Sequence, residues 1–195
     1  GLAEYYLGSA YRYGKGLPKN EAEAMRLFNL AVADGQAEAM VELGYMYRSG
    51  IGTAKDEKKA FTYFNRAANR KSRRGLRESG WMLCFGEGTT KSLKVGLDRL
   101  KEVAKKEDGL TEVYLGYIYE TVASVRDPRA AARHYYKGLR LGEPWPVSRN
   151  AQAWNAATAR ELQQRLKNGG HYDGPIDGAI GPASVKAMKA LCRCG

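Results

Sequence analysis

Nothing in these 195 residues approaches the run of about eighteen apolar residues that a membrane-spanning helix requires, and the longest candidate, Val113 to Tyr119, is short and mixed. This stretch of chain is expected to be soluble. Histidine is almost missing: His134 and His171 are the only two, and neither stands at His-x-x-x-His spacing or beside a Glu in a His-Glu-x-x-His arrangement. A zinc hydrolase is therefore not expected, and neither is a metal or any other cofactor. A phosphate loop is excluded as well, because "GSAYRYGKG" has five residues between Gly8 and Gly14 and no Ser or Thr after Lys15. The opening "GLAEYYLGSAYRYG" holds no initiator Met and no charged start followed by an apolar segment. Any signal peptide or membrane anchor is expected to lie upstream of Gly1.

Acidic residues are outnumbered, 21 against 32 Lys and Arg, for a net charge of +11. Up to residue 156 there are 26 basic and 18 acidic residues, and beyond it six and three. Such a surplus suits acidic proteins, anionic envelope polymers, membrane surfaces or nucleic acid. The basic residues of "RKSRRGLRESG" and "KSLKVGLDRLKEVAKKED" are interleaved with acids, the pattern of a solvated helix face more than of a nucleic-acid stripe. Nucleic acid is not expected as a partner.

What the chain does contain is a repeat. Gly8, Gly44, Gly80 and Gly116 are 36 residues apart, within "YLGSAYRYGKG", "ELGYMYRSGIG", "SGWMLCFGEG" and "YLGYIYETVAS". Each copy reads as two helices. In the first, Leu7 and Tyr11 share a face and Gly8 lets a neighbouring helix come close. Gly14 and Gly16 end it, as a Gly past the last turn can take the left-handed conformation. Asn20, Asp56, Ser92 and Asp127 then stand at equivalent places as side-chain caps of the second helix, with Glu23 spaced for a capping box in the first copy. The second helices carry buried stripes: Ala24, Leu27, Phe28 and Ala31, then Ala60, Tyr63, Phe64 and Ala67. The third copy is weaker (Gly96, Leu100, Val103, with Arg99 intruding). The fourth loses its Gly-x-Gly to "TVAS" and keeps Ala131 and Tyr135, with His134 in place of a core-facing Leu or Tyr. Weakening toward the end is expected of a terminal copy.

Period, Leu-Gly-x-x-Tyr, Gly-x-Gly and Asn/Asp cap together resemble Sel1-like repeats, relatives of the tetratricopeptide repeat. The expected fold is all-α: an α/α superhelical solenoid of four two-helix repeats followed by a small helical domain. The array spans 1–143, with copies near 1–36, 37–72, 73–108 and 109–143. What the resemblance implies is binding of a protein partner, as in bacterial signalling and envelope adaptors, with no chemistry.

Pro144 and Pro146 in "GEPWPVSRNAQAW" interrupt any continuous helix, so 144–156 reads as a linker in which Trp145 and Trp154 cover the end of the array. Thr158 and Glu161 form a Thr-x-x-Glu capping box ahead of "LQQRLKNGG", a short amphipathic helix with Leu162 and Leu166 on one side and a glycine stop. Two Asp-Gly turns, Asp173-Gly174 and Asp177-Gly178, suit positive φ or an Asx cap. Pro182 suits the first position of a last helix with a buried stripe of Val185, Met188 and Leu191. About forty residues bury little surface, so short stiff loops are needed.

This segment, 157–195, resembles the type 1 peptidoglycan-binding domain. Leu162, Gln163 and Leu166 match that family's first helix, Tyr172, Gly174, Asp177 and Gly178 its turn, and Gly181 and Pro182 its second loop; Ser184 replaces the usual Thr, and Leu191 and Cys192 the usual Phe-Gln. The resemblance implies a peptidoglycan site at Tyr172, Asp173, Gly174, Asp177, Gly178, Gly181 and Pro182. Read by residue type alone, Asp177 either caps the turn or meets a ligand, and Tyr172 either stacks on a sugar or stem peptide or is a half-buried core residue. Cys84 reads as a small buried hydrophobe; Cys192 and Cys194 could bind metal, pair with each other or pair with another chain.

The combined expectation is a non-catalytic adaptor of the bacterial cell envelope, periplasmic or wall-associated. Its tail holds peptidoglycan and its array holds an envelope protein, an order of modules that resembles polar localisation factors. The rival expectations are the targeting part of a wall hydrolase whose catalytic domain lies upstream, and a basic solenoid that binds nucleic acid.

Overall fold

Each of the four expected repeats forms two helices in the computed structural model, which describes residues 1–194. They are α1 (Leu2–Tyr13) and α2 (Glu21–Ala33), α3 (Ala37–Ser49) and α4 (Glu57–Asn69), α5 (Arg73–Phe85) and α6 (Leu93–Ala104), α7 (Gly109–Thr121) and α8 (Pro128–Arg140). The single turn α9 (Trp145–Ser148) follows, then α10 (Ala156–Asn168) and α11 (Pro182–Cys192). Among the described residues there is no strand, and no helix is long and apolar enough to cross a membrane. The chain divides into two compact units, Gly1–Arg99 and the remainder from Leu100.

In the first unit the paired helices meet at glycine. A Cβ on Gly8 would lie 2.9 Å from the Phe28 ring, and one on Gly44 2.6 Å from the Phe64 ring, closer than carbons approach. The aromatic of each second helix therefore rests on the bare backbone of the first, and both rings are fully buried. The third copy exchanges the roles: Gly96 of α6 is the bare position, against Cys84 and the Gly80 carbonyl of α5. Gly14, Gly50 and Gly86 close the first helices in the left-handed conformation, at φ of 67°, 68° and 79°.

The loops then return in the same way each time. The N–H of Asn20 donates to Tyr11 O at 3.0 Å, that of Asp56 to Tyr47 O at 2.8 Å, and that of Ser92 to Leu83 O at 2.8 Å. Asn20 and Asp56 cap with their side chains as expected, accepting from Glu23 N at 3.0 Å and Lys59 N at 2.9 Å. The capping box does not form. With the Asn20 N–H already committed to Tyr11, the Glu23 carboxylate turns to Arg26 at 2.6 Å. Leu7 also departs from expectation: it is 44% exposed, whereas its equivalent Leu43 is fully buried. The helix α2 packs on α3, and among the described residues no helix precedes α1 to do the same.

In the second unit Gly116 sits under Tyr135, 2.8 Å from a Cβ that a larger residue would carry. The missing Gly-x-Gly is replaced by a 3-10 turn, Ala123–Val125. The return bond persists, Asp127 N to Tyr119 O at 2.8 Å, and Asp127 Oδ1 accepts from the N–H groups of Arg129 and Ala130, both at 3.0 Å.

The tail does not stand apart from this last copy. Val113, Ala131, Tyr135 and Leu139 form one hydrophobic cluster with Leu162, Leu166, Ile180 and Met188, and both α10 and α11 pack on α8. The helix α10 packs on α8, as α3 packs on α2 and α5 on α4. Burial of such side chains stabilises by about 1.5–3 kcal/mol each, so a helix B with an apolar outer face gains much from any cover. Trp154 is buried edge-on against Tyr135 at 5.0 Å, and Trp145 is 36% exposed. Arg149 ties the linker down, with its guanidinium 4.7 Å from the Trp154 ring centre and 3.0 Å from Tyr135 Oη, and it pairs with Glu120.

The capping box expected at Thr158 and Glu161 is also absent. Asn155 is the cap, accepting from Ala157 N at 3.0 Å and Thr158 N at 3.3 Å, so the helix starts earlier. Thr158 is consequently inside the helix and fully buried, and Glu161 pairs with Arg129 at 3.2 Å.

Candidate functional site

The Asp-Gly turns of the tail are organised by a residue outside them. Gln163, on α10 and fully buried, donates through the two hydrogens of Nε2 to Asp177 Oδ1 at 2.8 Å and to Ala179 O at 2.9 Å, with Ser184 Oγ 3.3 Å away. Its Oε1 accepts from Gly178 N at 2.9 Å. A primary amide can donate twice and accept twice, so one side chain here replaces a strand partner for the whole loop. Asp177 completes an Asx turn by accepting from Ala179 N at 2.9 Å. The hydrogen bond from Gln163 and then that from Ala179 hold its carboxyl below the usual carboxylate range.

Of the seven expected site residues, most are explained by this turn. Gly178 has φ of 82° and would press a Cβ within 2.8 Å of Ala156 O, so the position accepts glycine alone. Gly174 is needed for another reason, since a Cβ there would lie 2.5 Å from Tyr172 Oη. Tyr172 is 7% exposed and donates to Pro175 O at 2.8 Å. Pro182 opens α11, with Gly181 before it as the cap position. Only Tyr172 and Asp173 line a cleft, of about 560 Å³, together with His171, Lys186 and Ala183, Ala187 and Ala190 of α11. Gly174, Asp177, Gly178, Gly181 and Pro182 do not line it. Cys192 and Cys194 are joined as a disulfide that brackets Arg193.

The first unit carries a second set of groups that the spacing of glycines and caps did not reveal. Glu42 and Glu78 are 3% and 1% exposed, at the same place in successive copies. Glu42 pairs with Arg12 of the copy before, accepts from Tyr13 Oη at 2.9 Å and meets Arg74 of the copy after at 2.9 Å. Glu78 pairs with Arg48 of the copy before at 2.9 Å and with Arg77 at 3.0 Å, and accepts from Tyr45 Oη at 2.8 Å. Burial and then Glu78 push the Tyr45 hydroxyl up to about 12. For Arg74, burial alone would lower the value, and Glu42, Tyr45 and Glu38 outweigh it and hold the guanidinium above its usual range. Arg12 and Arg48, and Glu42 and Glu78, stand 36 residues apart, the period of the repeat. At the next step both positions change, to Cys84 and Tyr114.

Cys84 is buried, and burial pushes its thiol up to about 12, which leaves it protonated and unreactive. His134 bonds through Nδ1 to Glu112 at 2.6 Å and stacks on Tyr119. Among the described residues no cluster of three or more His, Cys, Asp or Glu could hold a metal ion.

The family model described as Sel1 repeat matches residues 1–36, 37–72 and 112–143, more than half of the chain. Among curated proteins nothing matches. A Sel1 repeat protein from Oxalobacter formigenes is similar in structure, at a TM-score of 0.64 and 24% identity over 85% of this chain and 63% of that one. A protective antigen present in uropathogenic Escherichia coli strains, displaying an SLR fold, has a TM-score of 0.64 and 23% identity over 98% of this chain and 45% of that one. The chain thus spans less than two thirds of either. At such identities the likeness is of fold: an α/α superhelix of repeats.

Proposed function

From the premise that this chain belongs to the Sel1 repeat family, we propose that it is an adaptor of the bacterial cell envelope, whose tail holds peptidoglycan while its repeats hold a protein partner. Sel1 repeats are typically protein–protein interaction scaffolds. The finer reading rests on the tail. Supporting it most directly is the loop Tyr172 to Gly178, wound about Gln163, with Tyr172 and Asp173 on the wall of a cleft. Its residue pattern is the one that resembles the type 1 peptidoglycan-binding domain, and its folding leaves the cleft lined by the Tyr172 ring, an imidazole, one cation, one acid and methyl groups, a lining suited to a sugar–peptide polymer.

Two weak sites on one chain act through effective concentration, so a partner held by the repeats would be kept near the wall. A periplasmic or wall-associated setting follows from this reading, as does a part in polar localisation or signalling. The test is co-sedimentation of the full chain with washed, insoluble peptidoglycan at about 0.15 M salt. Sedimentation that resists a rise to about 0.5 M salt is expected from contacts beyond bulk charge. A chain left wholly in the supernatant overturns the peptidoglycan reading.

A further inference from the structure

The cleft beside Tyr172 does not end at the tail. A second cleft, of about 510 Å³, shares His171 and Ala190 with it and is completed by Arg140, Leu141 and Gly142 at the end of α8 and by Arg193. Together they make a groove built partly from the repeats and partly from the tail. We propose that this groove binds the carboxylates of the peptide stems of peptidoglycan, an assignment that rests on the peptidoglycan reading above and names the chemistry it recognises.

Charge and shape both favour a carboxylate-bearing chain. Lys186, Arg140 and Arg193 face the groove against one acid, Asp173, and among the described residues none of the three cations is paired with a carboxylate. Elsewhere the arginines of helix-to-helix contacts, Arg12 and Arg149 among them, are paired and largely buried. The floor is Ala183, Ala187 and Ala190, at i, i+4 and i+7 of α11, so one helix face is reduced to methyl groups and leaves a trough along the helix. A chain with short apolar side groups fits such a floor. Arg193 stands in the left-handed region at φ of 56°, uncommon for a residue with a Cβ, and the Cys192–Cys194 disulfide closes around it. Its guanidinium offers the planar fork that matches a carboxylate with two parallel hydrogen bonds.

The experiment uses the full chain and two forms of insoluble peptidoglycan, one intact and one with its carboxyl groups converted to amides by carbodiimide and ammonia. The double substitution Arg140→Gln with Arg193→Gln is compared with a control, Lys101→Gln with Lys105→Gln, which removes the same charge from exposed positions outside the groove. Expected are a roughly tenfold loss of affinity for intact wall in the groove variant, a similar loss for the unmodified chain on amidated wall, and little further loss when the two are combined. The control should stay within about twofold of the unmodified chain. Equal losses in control and groove variant, or binding indifferent to both substitution and amidation, overturn the groove while leaving peptidoglycan binding standing. Failure of the unmodified chain to bind intact wall removes both.

Discussion

Replacing Gln163 by Ala should cost the second unit about 3 kcal/mol. The side chain makes three hydrogen bonds, of 2.8, 2.9 and 2.9 Å, and its Nε2 lies 3.3 Å from the buried Ser184 hydroxyl. Each such bond is worth about 1 kcal/mol net, and more where the abandoned partner stays buried. Asp177 is exposed and regains water, so its share is small. Gly178 N and Ala179 O lose their partner at about 1 kcal/mol each, and the cavity left beside the buried Ser184 adds about as much, which gives the figure of about 3 kcal/mol, a change of roughly 150-fold in the folding constant. Gln163→Glu sharpens the test. One carboxylate oxygen would still accept from Gly178, but the other would face Asp177 Oδ1 and Ala179 O, putting like charges and two acceptors together. The deficit against the unmodified chain should therefore be largest near pH 7 and shrink as pH falls toward about 4 and one carboxyl takes a proton. Urea denaturation followed by tryptophan fluorescence in a Trp81→Phe background reports on this unit alone, through Trp145 and Trp154. A loss under about 1 kcal/mol for Gln163→Ala, or a deficit of Gln163→Glu that does not change with pH, would refute the hub.

In the first unit, Glu42→Gln leaves Arg12, at 9% exposed, without its counter-charge, and a loss of about 2–3 kcal/mol is expected from urea denaturation monitored at Trp81. A double cycle with Arg12→Met should recover most of that loss, and independent, additive effects would contradict the pairing. Glu112 supplies a pH dependence. Burial pushes its carboxyl up, but the hydrogen bonds from His134 and Lys137 outweigh that and hold it below 4.5. A group depressed in the folded state stabilises above its unfolded value and loses that contribution as pH drops through the folded one. Stability of the second unit should therefore fall as pH drops below 4.5 by more in the unmodified chain than in Glu112→Gln, and parallel curves would argue against it.

Much of this fold is legible in the sequence because its determinants are local. The glycine before each aromatic, the left-handed closing glycine and the Asn or Asp cap lie within about twenty residues of one another, and Gly8, Gly14 and Asn20 do what their spacing suggests. The misplaced start of α10 has the same origin, since Thr158-x-x-Glu161 satisfies the local rule for a cap as well as Asn155 does. Only the burial of Thr158 by the core of the unit decides between them. The seven residues read as a site were visible as a turn, but the one that holds the turn together, Gln163, acts across fourteen to twenty-one positions and was visible only as part of a family pattern. The ionic ladder joins residues thirty apart and was hidden because charged residues are read first as solvated. The role of Arg149 was hidden for a related reason: its partners Glu120 and Tyr135 belong to two other helices, α7 and α8.

The core shared by α8, α10 and α11 bears on how such chains can be reshuffled. A crossover placed in the proline-bearing stretch after residue 143 would graft the tail onto an unfamiliar helix and strip Tyr135 and Leu139 of their covering. The smallest cassette that can be exchanged intact runs from α7 to the end of α11, and lineages that trade such tails among repeat proteins should carry the final repeat along as luggage.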